Sequence, residues 1–267
     1  MVRVFGRDPV AGRRVADFSV GWRMRRSLPY GRFGGKRYAG RRFRPARRCG
    51  RLAGMRLSIF DFDGTLADTR LNIVLTMRET MRELRLPEAD EAACAATIGL
   101  RLRDGFARLL PGVADETLDR CVSTYRRLFD ERKRTMPPKP FPGAAELLDA
   151  LRGRGALLAI ASSRSSFTLA PMLRDMGLAG AFDAVVCGDD VERPKPAPDA
   201  VLAILRRLDV PPSGALVVGD MPVDVEMGRA AGVRTCGVLW GNATREQLAA
   251  AGADFLAATM DDILALA

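Results

Sequence analysis

The sequence predicts an α/β protein: a parallel sheet with helices on both faces, plus a small all-helical segment inserted after the first strand. Three observations carry this. From residue 143 onward, short continuously apolar runs alternate with amphipathic helical stretches, the pattern of strands buried on both faces and joined by crossover helices. A first apolar run, Leu57-Ser-Ile-Phe-Asp61, stands well upstream of that series and suits a buried strand. Between the two, residues 70–133 carry helical periodicity with no strand.

Residues 70–86, 90–97, 101–110 and 115–133 read as four successive helices. In the first, Leu71, Val74, Leu75, Met81 and Leu84 fall close to helical spacing, a stripe that belongs to a core. Lys133 to Pro142, with Pro137, Pro138 and Pro140, reads as a linker, because proline cannot continue a helix. A helix at 143–153 then precedes a strand at Ala156–Ala161, and a helix at 165–176 precedes a strand at Ala184–Cys187. A helix at 198–208 leads to a strand at Ala215–Gly219, and one at 222–231 to a strand at Arg234–Leu239. A final helix–strand–helix closes the chain. The expected organisation is a core of residues 55–69 and 141–267, a helical cap of residues 70–140, and a basic extension of residues 1–54.

Charge and composition narrow the function. The chain has 267 residues and a net charge of +10, but the charge is uneven. Residues 1–54 hold 16 Lys+Arg against Asp8 and Asp17, whereas residues 55–267 hold 26 against 30 Asp+Glu. The extension is rich in Arg, Gly and Pro and has too little apolar content to order itself. It reads as an RNA- or anion-binding arm working through Arg44, Arg47 and Arg48, as an Arg-rich transit peptide, or as sequence upstream of a true start at Met55. The last is favoured by the 38 Arg to 4 Lys, a bias of GC-rich coding.

Histidine is absent, which excludes Ser-His-Asp hydrolases, Cys-His nucleophile pairs and HExxH zinc sites. Proton transfer must use carboxylates, Lys, Tyr or Cys. Five scattered cysteines without a CxxC pair argue against a disulfide framework and for a reducing, cytoplasmic setting. No apolar run approaches the roughly 20 residues of a membrane span.

In parallel sheets, sites lie beyond the carboxyl ends of the strands, and those positions are rich in chemistry here. The first strand ends in Asp61-Phe-Asp63-Gly-Thr-Leu. In extended chain its two carboxylates share a side, about 7 Å apart. The second ends in Ser162-Ser163, hydroxyls before a helix start that favours an anion; Ser163 reads equally as the N-cap of that helix. The loop after the third carries Lys195 in Arg-Pro-Lys-Pro-Ala-Pro-Asp, and the fourth ends in Gly219-Asp220-Met-Pro-Val-Asp224. Asp224 also reads as a cap of the helix beginning at Pro222. Acids and one ammonium converging from four strand ends suit phosphoryl transfer: a carboxylate attacks phosphorus while cations offset charge on the other oxygens. Oxygen donors of this kind suit magnesium. A Lys in so Arg-biased a chain marks a site wanting a compact ammonium.

These four segments together resemble the haloacid dehalogenase superfamily of phosphatases, specifically its phosphoglycolate-phosphatase-like group. Asp61-Phe-Asp-Gly-Thr-Leu is similar to the first motif, Ser162 to the second, Lys195 to the third, and Gly219-Asp220 through Asp224 to the fourth. The resemblance covers residues 55–267. It implies a Rossmann-like core, Asp61 as nucleophile, and Asp63 as the group that protonates the leaving alcohol and then activates water. It also implies Ser162, Ser163 and Lys195 as phosphate holders, and Mg2+ on Asp61, the carbonyl of Asp63 and Asp220, with Asp224 as ligand or support. The helices between 70 and 133 would be a cap closing over the site.

Several other features carry little weight. Cys187…Arg193 and Cys121…Arg127 have the C-x5-R spacing of cysteine phosphatases, but the first is crowded by Asp189, Asp190 and Glu192 and the second lies within a helix. Gly34-Gly35-Lys36 lacks the rest of a P-loop. Arg108 and Lys139 read as solvated. Arg101 and Arg103, between two cap helices, are candidates for a substrate carboxylate. Lys133 and Lys139, at the linker, sit poorly for Schiff-base chemistry. The expected function is hydrolysis of a small phosphorylated metabolite with magnesium, phosphoglycolate first. The alternatives are a phosphosugar mutase of the same fold, or binding of RNA or anions through residues 1–54.

Overall fold

The computed structural model describes residues 55–266; the expectations placed on residues 1–54 lie outside them. The described residues open with strand β1 (Leu57–Phe60) and a two-residue strand β2 (Ala67–Asp68). Four helices come after it: α1 (Arg70–Glu83), α2 (Glu91–Ala95), α3 (Leu102–Leu109) and α4 (Asp115–Thr135). Next are β3 (Lys139–Pro140), α5 (Ala144–Gly153), β4 (Leu157–Ala161), α6 (Ser166–Asp175), β5 (Ala184–Val186), α7 (Asp199–Leu208) and β6 (Ala215–Gly219). The chain closes with α8 (Pro222–Ala230), β7 (Arg234–Val238), α9 (Arg245–Ala250), β8 (Phe255–Ala257) and α10 (Met260–Leu266).

The main sheet has six parallel strands in the order β5-β4-β1-β6-β7-β8. Consecutive side chains of a strand point to opposite faces, and β1 shows the consequence. Leu57 and Ile59 pack with Val201, Ile204 and Val217 on one face. Phe60 packs with Leu148, Ile160 and Leu216 on the other. This second layer is continuous with the interior of the helical insert, where Met77, Met81, Phe106, Leu118 and Tyr125 are buried. The strand order reverses around β1, between β4 and β6, which creates the crevice where ligands of such sheets bind.

Two details differ from the sequence expectation. Leu71, assigned to the core stripe of the first helix, is 56% exposed. Val74 and Met81 of that stripe are buried, and the same face also takes in Asn72, Thr76 and Thr80, polar residues whose groups are satisfied internally. The Thr76 hydroxyl donates to the Asn72 carbonyl at 2.6 Å, that of Thr80 to the Thr76 carbonyl at 2.8 Å, and the Asn72 amide to the Met136 carbonyl at 2.7 Å. Hydrophobicity alone therefore misses the polar part of this buried face. The segment read as a linker also carries structure: α4 runs on to Thr135, and Lys139–Pro140 pairs antiparallel with Ala67–Asp68. A two-residue edge ribbon tolerates Pro140, whose missing N–H would interrupt a central strand. It ties the entrance of the insert to its exit, helped by Phe141 N donating to Leu66 O at 2.9 Å.

Among the described residues no helix is long and apolar enough to cross a membrane.

Helix α8 lies close against the sheet because it carries Gly228. A Cβ there would meet Thr235 Cγ2 at 2.5 Å and Val217 Cβ at 3.0 Å. Replacing a helical Gly by Ala ordinarily gains about 1 kcal/mol of helix propensity, whereas overpacking a tight core costs about 1–3 kcal/mol. Gly228→Ala is therefore expected to lower the urea unfolding midpoint; an unchanged midpoint would show that α8 can lift off the sheet without loss.

Candidate active site

Each site residue stands where a parallel strand ends. β1 delivers Asp61, and the chain then folds into a tight turn in which Leu66 N and Ala67 N both donate to Phe62 O at 3.0 Å. Gly64 enables that turn with φ +84°, and a Cβ there would meet Asp220 Oδ2 at 2.3 Å. Any side chain would thus be strained in backbone and would push into the neighbouring carboxylate. β4 delivers Ser162, β6 delivers Asp220, and the first turn of α8 brings Asp224 beneath them.

Lys195 reaches into this group from the loop before α7. Its ammonium donates to Asp61 Oδ1 and to Asp224 Oδ1, both at 2.6 Å, with all three side chains buried. The other oxygen of Asp224 accepts from Met221 N at 3.0 Å. Asp224 thus anchors the start of its own helix and the lysine at once. Asp220 is held by Thr65 Oγ1 at 3.2 Å and by the backbone and side-chain N–H groups of Asn242 at 2.8 and 2.7 Å. Trp240 Nε1 donates to Thr65 O at 3.1 Å, so the loop after β7 supports both ends of that contact.

The electrostatics come from three buried acids sharing one ammonium. Burial pushes the Asp61 carboxyl well above the usual carboxylate range against the pull of Lys195, and Asp224, Asp220 and Asp63 push it further. Burial, then Asp224, pushes Asp220 up to about 7 despite the hydrogen bonds from Asn242 and Thr65. Burial by itself would lower Lys195, but Asp224 and Asp61 outweigh it and hold the ammonium above its ordinary value. Asp61 Oδ2 is buried without a hydrogen-bond partner, and such an orphaned acceptor is costly to leave unmet. Ligand oxygens of Asp61, Asp220 and Asp224 lie within 4.8 Å of one another. Hard oxygen donors, excess negative charge and an unmet lone pair fit a divalent cation such as magnesium.

Asp63 is held apart from this cluster. Its Oδ1 accepts from Thr69 Oγ1 at 2.7 Å and its Oδ2 from Arg164 Nε at 2.7 Å. The Arg164 guanidinium is mostly buried and lies 4.9 Å over the ring of Phe129 in α4. Asp63 keeps it charged although burial opposes that. Arg164, Thr69, Thr65 and Asn242 are not singled out by sequence reasoning. Arg164 directly succeeds the two serines at the end of β4, and Asn242 stands just past the end of β7, where position along the sheet is the signal that could have found it.

Other candidates are placed differently. Ser162, buried at the end of β4, accepts through Oγ from Arg164 N at 3.2 Å. Ser163 is not the N-cap of α6, a position held by Ser165; its hydroxyl donates to Gly99 O in the helical insert at 2.5 Å. Arg101 donates to the carbonyls of Gly188 at 2.7 Å and Val191 at 2.6 Å, and Arg103 pairs with Asp115 at 2.7 Å and Asp119 at 3.1 Å. Both guanidiniums are thus engaged within the protein, and both also line the cavity that opens beside Asp61 and Asp63. Lys133 belongs to α4, not to the linker, and pairs with Asp130 at 2.7 Å. Burial, then Asp190 and Asp189, push the Cys187 thiol up to about 12, which removes it as a nucleophile. Arg108 and Lys139 are exposed.

A doubly covered parallel sheet with buried carboxylates and a lysine beyond its carboxyl ends is the arrangement found here, and the relatives of the chain place it among the phosphoric monoester hydrolases. Residues 58–238 match the family model described as haloacid dehalogenase-like hydrolase, and the chain belongs to this family. It is 37% identical over 215 residues to a Dickeya dadantii protein named "Probable phosphatase IndB", covering 79% of this chain and 93% of that one. It is 34% identical to a phosphoglycolate phosphatase of Aquifex aeolicus, covering 70% and 86% respectively. A solved haloacid dehalogenase-like hydrolase from Bacteroides fragilis superposes with a TM-score of 0.70 at 28% identity, over 78% of this chain and 99% of that one.

The displaced titration of Asp220 has a measurable sign. With its carboxyl pushed up to about 7, the folded metal-free protein holds a proton that an unfolded Asp releases near 4. Between about pH 4 and about pH 7 the folded state binds more protons, so the free energy of unfolding falls as pH rises. Urea midpoints across this window should decline more steeply in the native protein than in Asp220→Asn; equal slopes would show that Asp220 ionises normally.

Proposed function

We propose that this chain hydrolyses a small phosphate monoester through an aspartyl-phosphate on Asp61, with magnesium as cofactor, and that phosphoglycolate is the first ester to test. The observation that carries this is the buried Lys195 ammonium bridging Asp61 and Asp224 beside the unpartnered Oδ2 of Asp61. That oxygen is a nucleophile free of competing hydrogen bonds, with a cation already fixed at its neighbour. Likeness to named phosphatases and a phosphoglycolate phosphatase supports the reaction type.

In the first step a carboxylate oxygen of Asp61 attacks phosphorus and the bond to the ester oxygen breaks. Asp63 gives its proton to that oxygen, and the alcohol leaves. In the second, Asp63, now ionised, takes a proton from water, whose oxygen attacks phosphorus; the bond to Asp61 breaks and phosphate departs. Lys195 and the Ser162 hydroxyl hold the non-bridging oxygens, while Ser163 serves to join the helical insert to the core. Asp61, Asp220 and the carbonyl of Asp63, with Asp224 as ligand or support, would hold magnesium, which would supply further charge compensation on those oxygens. The helices of residues 70–140 act as a cap that excludes water from the site. Free thiols at Cys94, Cys121, Cys187 and Cys236 support a cytoplasmic setting.

Two experiments test this. Phosphate release from p-nitrophenyl phosphate and phosphoglycolate should require magnesium and fall by about a thousandfold or more in Asp61→Asn, since the nucleophile itself is lost; activity surviving in that variant would rule out the covalent route. Arg164 should act by positioning Asp63. A general acid contributes about a hundredfold or more, but only where the leaving group needs a proton. In Arg164→Gln, kcat/KM for an alkyl phosphate should therefore drop about tenfold or more while that for p-nitrophenyl phosphate, whose phenolate leaves unprotonated, holds. Equal losses on both esters would indicate a merely structural arginine.

A further inference from the structure

This inference rests on the phosphatase reading and concerns the alcohol half of the ester. Past Asp61 and Asp63 the site opens into a cavity of about 560 Å3 between the helical insert and the sheet. The cavity persists with the insert latched down: Arg101 grips the carbonyls of Gly188 and Val191 at 2.7 and 2.6 Å, and Ser163 holds Gly99 O at 2.5 Å. The volume is therefore not the gap left by a swung-out cap. Pockets of about 300–1,000 Å3 bury drug-sized ligands, whereas phosphoglycolate adds only a two-carbon acid to its phosphate.

Away from Asp61 and Asp63, the buried part of the lining is mostly apolar. Ile73, Met77, Ile98, Tyr125, Phe129 and Met172 line the cavity and are all buried. Tyr125 and Phe129 are stacked with centroids 5.7 Å apart, and Phe106 braces Tyr125 edge-on at 6.1 Å, so this wall is rigid. Phe167, also on the lining, stands 76% exposed. Of the cations on the lining, Arg101 is engaged by backbone carbonyls, Arg103 by Asp115 and Asp119, Lys133 by Asp130 and Arg164 by Asp63, which leaves Arg126 on the solvent-exposed rim.

We propose that the substrate is a phosphate monoester whose alcohol carries an apolar body about the size of an aromatic ring with a short alkyl arm, seated beside Met77, Tyr125 and Phe129 with its phosphate at Asp61. Each buried methylene is worth about fourfold in affinity, and such pockets discriminate by about 10–200-fold per group.

The test is kcat/KM of the full-length protein with magnesium on methyl, butyl, benzyl and 3-phenylpropyl phosphate and on phosphoglycolate. The four alcohols leave with similar acidity, so a trend reports binding of the body and not departure of the oxygen. The expected result is a rise of about a hundredfold from methyl to 3-phenylpropyl phosphate, with phosphoglycolate at least about tenfold below the top. Val122→Trp, which fills the cavity from the half-buried face of α4, should flatten the rise. A flat series in the native protein, phosphoglycolate at the top, or an unchanged rise in Val122→Trp would overturn the inference and leave the phosphatase reading intact. Release from none of the esters, p-nitrophenyl phosphate included, would overturn both.

Discussion

One ammonium holds this site together. Lys195 lies buried between Asp61 and Asp224, 2.6 Å from each. Taking a charge out of water costs several kcal/mol per ion after relaxation, and only close partners offset that cost. Here one cation serves three buried acids, so compensation is incomplete by construction. The residue of that imbalance is visible in Asp61 and Asp220, both pushed up above the usual carboxylate range, and in the unmet oxygen of Asp61. A purely structural cluster would have no reason to keep this excess of negative charge; a site that receives a cation and a phosphate does.

The sheet makes the imbalance tolerable by fixing where each acid stands. β1 runs between β4 and β6 in register, so the residues just beyond Phe60, Ala161 and Gly219 emerge side by side. Close approach is enforced by small residues: Gly64 lets its turn press against Asp220, and Gly228 lets α8 lie flat and carry Asp224. Hydrogen bonds from Thr65 and Asn242 then orient Asp220. The acids therefore meet through backbone geometry, not through their own attraction.

The helical insert shares the core of the sheet and is not a detached lid. Its interior continues into the layer beneath β1, and Phe129 of α4 covers Arg164, which in turn holds Asp63. The proposed acid is thereby coupled to the insert by two contacts. Arg101 and Ser163 add polar latches across the same seam. In this arrangement the insert lines the cavity with a buried apolar group, Met77, Tyr125 and Phe129 among them, and with arginines such as Arg101 and Arg103 that are engaged within the protein.

Much of this was legible in the sequence. Apolar runs alternating with helices determined the doubly covered parallel sheet, because a strand buried on both faces has no polar side to alternate. Asp61, Asp63, Ser162, Lys195, Asp220 and Asp224 could be singled out because local sequence places them just past strand ends, and strand ends are where such sheets carry chemistry. Contacts set by packing across distant elements lay beyond the reach of sequence. The buried face of α1 took in threonines that satisfy themselves beside the expected Val74 and Met81, the linker hid an edge ribbon, and Arg101 turned to backbone carbonyls. Arg164 came to Asp63 across 101 residues of chain. No local rule encodes such a pairing: whether an arginine ends in solvent, on a carbonyl or on a carboxylate depends on which surfaces the folded chain brings within hydrogen-bond reach, and only the tertiary structure decides that.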